Sequence, residues 1–236
     1  MRAVIRRNKQ LVCDEIDELV PAEGQVLVKT LACGICGSDL HALHHMEHMI
    51  ETSRRAGGGP ISFDPTADTV FGHEFCAEIL DFGPGTTKAL KAGTRVVSVP
   101  VTATATGVEA LGFSNLLPGG FAEQMLLTEV MLLPVPNGLS TEAAAMTEPF
   151  AVGAHAVAKA RLDKNSVAVV IGCGPVGLAV IAMLKARGFG PVIASDYSPR
   201  RRAAAEKLGA DVVLDPSQES PHGRWEQLGV PMQAAA

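Results

Sequence analysis

The chain has 236 residues, 47% of them apolar, and a formal net charge of −5. A chain of that size and composition can bury a core and is not disordered, and one large or two small domains are expected. No long basic block occurs, which argues against nucleic acid as the main partner. Charge at the start (MRAVIRRNKQ) is not followed by an apolar stretch, so no secretory signal is predicted. Five scattered cysteines fit a reducing compartment rather than a disulfide framework, and a cytoplasmic protein follows.

Taken in chain order, the first 150 residues read as β-rich. Short runs of Val, Ile and Leu at 26–32, 76–83 and 94–101 are separated by Gly, Pro and Thr clusters, the pattern of a barrel or sandwich. The Gly- and Pro-rich stretch 49–68 is predicted to be an exposed loop. From Thr141 the sequence TEAAAMTEPFAVGAHAVAKA is Ala-rich and is expected to form one helix, capped by Ser140 or Thr141, that leads out of the first domain. The pattern then alternates. SVAVVIG reads as a strand, GPVGLAVIAMLKARG as a helix closed by Gly188, and PVIASD as a strand. SPRRRAAAEKLG reads as a helix capped by Ser198 and ended by Gly209, and ADVVLD as a third strand. Such alternation gives a parallel sheet with helical crossovers. The apolar run 167–184 is long enough to raise a membrane span, but its three glycines and proline fit strand–turn–helix instead.

GCGPVG, residues 172–177, is G-x-G-x-x-G between a predicted strand and a predicted helix. In that setting Gly172 permits the tight turn and Gly174 lets a pyrophosphate approach the backbone. Gly177 lets helix and strand pack, and Pro175 and Val176 open the helix whose N-terminus faces the anion. Asp196, 24 positions after Gly172, ends the second strand and can accept hydrogen bonds from a ribose diol. A carboxylate there repels a 2′-phosphate and favours NAD over NADP, although the arginines at 200–202 could accommodate one.

Two further motifs carry metal chemistry. CGICGSDLH, residues 33–41, holds a Cys-x-x-Cys pair, but no second pair exists to complete a zinc knuckle, and no thioredoxin-like βαβ unit surrounds it. Cys33 is expected to pack. Cys36 with His73 of FGHEF and Glu148 of TEPFAVGAHA supplies a thiolate, an imidazole and a carboxylate, the donor set of an open catalytic zinc site. His44 and His48 have the i,i+4 spacing of a helical pair that could take up metal.

CGICGSDLH, GHE, GGFAEQ, EPFAVGAHA and GCGPVG occur in this order along essentially the whole chain. Together they resemble the zinc-dependent medium-chain alcohol dehydrogenases, above all the sorbitol, threonine and butanediol dehydrogenase branch. The resemblance implies an α/β protein with a β-rich part: a GroES-like catalytic zinc domain at 1–150, then a partial NAD-binding Rossmann domain at 151–236. It implies Cys36 and His73 as zinc ligands and Glu148 as the third ligand or a water-bridged partner. Glu74 would bind the metal or hold its surroundings. Ser38 and His41 would form the proton relay, Asp39 would orient His73, and Asp196 and Arg201 would flank the adenosine ribose. The implied activity is hydride transfer between a small alcohol or polyol and NAD, with one catalytic zinc, no nucleic-acid or membrane partner, and an architecture compatible with a homo-oligomer.

The chain also departs from the family pattern. No cysteine lies between Cys76 and Cys173, so a structural zinc lobe is not expected. Cys36 and His73 are 37 positions apart, and the His- and Gly-rich stretch between them reads as an insertion. Only the first βαβαβ half of a dinucleotide fold is predicted, so a truncated, catalytically impaired zinc- and nucleotide-binding remnant is the alternative reading. A zinc-free quinone or enoyl reductase is disfavoured by Cys36, His73 and Glu148 occurring together.

Overall fold

The computed structural model describes residues 1–57 and 64–230. It divides into two compact units, Met1–Glu148 and Pro149–Ala236. In the first unit β1 (Arg2–Arg7) and β2 (Gln10–Glu15) form a hairpin around Asn8 and Lys9, with φ of 52° and 61°. Two consecutive left-handed residues make the hairpin turn whose twist matches the strands. The Asn-Lys pair lacks the glycine that usually marks such a turn, and these strands were not predicted.

β3 (Gln25–Gly34) runs straight into Cys36, which caps α1 (Gly37–Arg55). The helix kinks at His45, where φ is −127° and ψ is 32°. Its C-terminal part corrects the expected loop: 49–55 is helical because Met46 and Ile50 bury one stripe against Phe71. Of the remaining predicted loop, residues 58–63 lie outside the described residues.

The unit continues with β4 (Thr69–Val70), β5 (Glu74–Phe82), β6 (Arg95–Val97), β7 (Val101–Thr104), β8 (Gly107–Ala110), β9 (Gln124–Thr128) and β10 (Leu133–Pro134). The main sheet is antiparallel in the order β10-β6-β5-β3-β9. A second sheet is β2-β1-β4, and β7 and β8 pair alone. Val26, Val28, Ile79, Met125 and Leu127 are fully or almost fully buried in the core of the main sheet. Each such side chain contributes roughly 1.5–3 kcal/mol on burial.

The single helix expected from Thr141 is two: α2 (Thr141–Ala145) and α3 (Thr147–Lys159), separated at Met146. Pro149 has no N–H to reach the Ala145 carbonyl, and its ring would collide with that carbonyl in a continuous helix. The Thr147 hydroxyl instead donates to the Ala144 carbonyl at 2.7 Å. Ser140 caps α2, accepting from the Ala143 N–H at 3.1 Å.

In the second unit β11 (Ala168–Ile171), α4 (Pro175–Ala186), β12 (Val192–Ser195), α5 (Pro199–Lys207) and β13 (Val212–Leu214) follow in turn. The sheet is parallel, in the order β11-β12-β13. The pieces fall where the sequence placed them, with Gly188 and Gly209 at positive φ just past their helices. The fold is thus a GroES-like unit followed by a partial Rossmann unit. Among the described residues no helix is long and apolar enough to cross a membrane.

Candidate metal centre and nucleotide turn

Antiparallel pairing of β3 with β5 builds the first site. The end of β3 lies beside the start of β5, with Cys33 opposite Phe75 and Gly34 opposite Glu74. One ligand atom each from Cys36, His73 and Glu74 therefore lies within 4.8 Å of the other two. Cys36 is half-buried, and His73 and Glu74 are buried. Thiolate, imidazole and carboxylate at this spacing are a donor set suited to zinc, so these residues fit the metal that the sequence implies.

Asp39 ties this cluster to α1. Its Oδ2 accepts the Cys36 N–H at 2.9 Å, and its Oδ1 lies 3.3 Å from His73 Nδ1. Neither Oδ1 nor Nδ1 has another partner among the described residues. The other ring nitrogen, Nε2, is 3.4 Å from the Ser38 hydroxyl. Ser38 sits inside the first turn, two residues beyond the capping position, which Cys36 occupies. His41 is not drawn into the cluster. It is exposed, with its ring 5.1 Å from that of His45 and 6.4 Å from that of His48.

Glu148 stands apart from the three-residue cluster. It is half-buried in the first turn of α3. Burial raises its carboxyl above the usual carboxylate range. Nearby His73 opposes that shift, while Glu74 and Asp39 reinforce it. His73 is pulled both ways without a metal. Burial lowers its pKa, but Asp39 and then Cys36 outweigh burial and raise it to about 9.

The second site is the turn between β11 and α4. Gly172 has φ of 90°, and its N–H donates to the Ser195 carbonyl at 2.8 Å. A Cβ on Gly177 would lie 1.9 Å from the Gly172 carbonyl oxygen, so helix and strand meet only because that position has no side chain. A Cβ on Gly174 would meet nothing within 4 Å, which leaves open space over the turn. Pro175 and Val176 form the first helical turn, both exposed.

Asp196 completes this turn. Its Oδ2 accepts the Cys173 N–H at 2.8 Å, and its Oδ1 accepts the Ser198 N–H at 2.7 Å. The Ser198 bond chiefly holds its carboxyl below the ordinary value against some desolvation, helped by Cys173, Arg201 and Arg202. Arg201 Nη1 is 3.8 Å from Asp196 Oδ2. Gly172, Asp196, Ser198 and Arg201 border a cavity of 440 Å³. Arg202 donates to the Asp196 and Tyr197 carbonyls, each at 2.8 Å, and pairs with Asp215 at 2.9 Å. An open glycine turn with an acid beside a cavity fits the phosphate and ribose of a dinucleotide.

Residues 22–137 match the family model for the alcohol dehydrogenase GroES-like domain, and residues 175–234 match that for the zinc-binding dehydrogenase. The chain belongs to the zinc-dependent medium-chain alcohol dehydrogenases. Over 228 residues it is 38% identical to (R,R)-butanediol dehydrogenase of Bacillus subtilis (strain 168), covering 89% of this chain and 62% of that protein. It is 34% identical over 225 residues to sorbitol dehydrogenase of the same strain, covering 90% and 60%. The crystal structure of 2R,3R-butanediol dehydrogenase from Bacillus subtilis superposes with a TM-score of 0.80 at 34% identity, over 97% of this chain and 67% of that one. The chain thus spans 60–62% of the length of these two curated relatives.

Three features of this medium-chain dehydrogenase site escaped the sequence reading. Gly34 leaves the space that the Glu74 side chain fills. Gly72 and Gly120 enclose Cys33, each so close that a Cβ would come within 3 Å of its sulfur. Phe113 sets its ring 5.4 Å from that of His73. The glycines of CGICG and FGHEF were visible, but their partners are fixed by strand pairing. Phe113 carries no local signal at all.

Proposed function

We propose that the chain carries the zinc- and nucleotide-binding parts of a cytoplasmic oxidoreductase that moves a hydride between a small alcohol or polyol and NAD. The observation that carries this reading is the convergence of Cys36, His73 and Glu74 within 4.8 Å. The names of the similar butanediol and sorbitol dehydrogenases support the substrate class. In this reading the zinc domain spans 1–150 and the nucleotide domain 151–236.

Zinc bound by Cys36, His73 and Glu74 would supply Lewis acidity toward an alcohol oxygen, and NAD would supply the hydride acceptor. Asp39 Oδ1, 3.3 Å from His73 Nδ1, is placed to favour a proton on Nδ1, which would leave Nε2 to act as a ligand. Glu148, close enough for His73, Glu74 and Asp39 to shift its carboxyl, would serve as a water-bridged partner of this set. The Ser38 hydroxyl both donates and accepts, so it can take a proton from the alcohol and hand it on. His41, one turn further along α1 and exposed, passes that proton toward solvent. The uncommitted backbone N–H groups at the start of α4 would hold the pyrophosphate, and Asp196 and Arg201 would read the ribose.

The test measures zinc content in the chain purified without chelator, then NAD reduction across a panel of secondary alcohols and polyols. Stoichiometric zinc with turnover on the panel is expected. Zinc-free protein would overturn the reading.

A further inference from the structure

Four of the chain's seven histidines fall within eight residues, at 41, 44, 45 and 48. All four are exposed on α1. Residues 41, 45 and 48 follow the i, i+4, i+7 spacing of one helical face. Exposed helical positions are ordinarily filled by charged residues, so an imidazole stripe is a chemical choice that solvation does not require. The acids beside it are already engaged. Glu47 pairs with Lys9 at 3.1 Å, and Glu51 pairs with Arg55 at 2.8 Å. None of the four rings makes a hydrogen bond among the described residues; their recorded contacts are with one another.

One pair of rings already has the spacing of shared ligands, and the third ring stands farther out. Two imidazoles on one tetrahedral ion, with metal–nitrogen bonds of about 2.0–2.1 Å, have ring centres about 5 Å apart. The His41 and His45 centres are 5.1 Å apart. The His48 ring is 6.4 Å from His41, a gap that a side-chain rotation at an exposed position closes.

We propose that His41, His45 and His48 form a second transition-metal site, separate from Cys36, His73 and Glu74, that takes a borderline divalent ion with imidazole affinity. Imidazole suits zinc, copper and nickel ions, and three nitrogen ligands leave a position for water. The site stands on the side-chain geometry of α1 rather than on the activity proposed above, and an ion held there would take His41 out of the proton relay.

Equilibrium dialysis of the full chain against zinc chloride, with metal counted by mass spectrometry, tests it. The parent chain is expected to hold about two zinc ions and Cys36→Ser about one. His45→Ala/His48→Ala in the Cys36→Ser background is expected to hold none, with its helix content by circular dichroism unchanged. Zinc lost completely from Cys36→Ser alone would overturn the second site. So would zinc retained in full after both histidines are removed.

Discussion

Gly34 and Glu74 face each other across β3 and β5, and a Cβ on Gly34 would lie 2.3 Å from Glu74 Oε2 and 3.1 Å from its Cβ. The glycine is the floor on which the carboxylate rests. Gly34→Ala is expected to push Glu74 out of the cluster and weaken zinc binding by about 10–100-fold, the usual effect of disturbing a residue that positions a ligand. Competition with a chromogenic chelator reads the affinity, and an unchanged value would remove Glu74 from the ligand set.

The two thiols of the Cys-x-x-Cys pair should behave oppositely. Cys33 is enclosed by Gly72 and Gly120, and burial pushes its thiol up to about 12. Only a thiolate alkylates readily. In chelator-treated protein iodoacetamide is expected to label Cys36 and spare Cys33. Cys33→Ser should keep the zinc of the Cys36, His73 and Glu74 cluster while Cys36→Ser loses that one ion; equal loss from the two variants would make the pair a joint site.

Two glycines of the nucleotide turn separate fold from binding. Gly177→Ala drives a Cβ into the Gly172 carbonyl and should destabilise the second unit by about 1–3 kcal/mol, seen as a lowered melting temperature. Gly174→Ala meets nothing in the protein and has an ordinary φ of −74°, so melting should be unchanged. Its methyl group would occupy the approach of the pyrophosphate, and NAD affinity by calorimetry should fall. Full affinity would place the phosphates elsewhere.

Asp196 gives the turn an acid limit. Its native pKa lies below the unfolded value, so the stability it contributes is present above about pH 4 and is lost as pH falls through the native value. Melting curves of the parent and Asp196→Asn should differ at neutral pH and converge on acidification. A gap independent of pH would mean that its charge is not what stabilises the turn.

The two sites were legible to different degrees. The turn at 172–177 could be read directly, because strand, glycines, helix and acid follow one another and each piece is local. The cluster of Cys36, His73 and Glu74 could not be assembled from spacing, since 37 positions separate the first two and only β3–β5 pairing joins them. Family motifs supplied those residues. They left Glu74 and Glu148 as alternatives, and the register opposite Gly34 is what brings Glu74 beside Cys36 and His73. The break at Met146 was readable from Pro149, but alanine-rich helix propensity on both sides masked it.

The packing of α1 has a consequence far from any ligand atom. Ala42, Met46 and Ile50 bury against Phe71, two residues before His73, while the same helix begins at Cys36. This apolar seam helps set the distance between Cys36 and His73, two candidate metal donors outside it. Trimming it, as in Met46→Ala, costs about 2–5 kcal/mol for a buried methionine. Some of that loss should surface as weaker chelation, so that a purely greasy substitution registers as a defect in coordination chemistry.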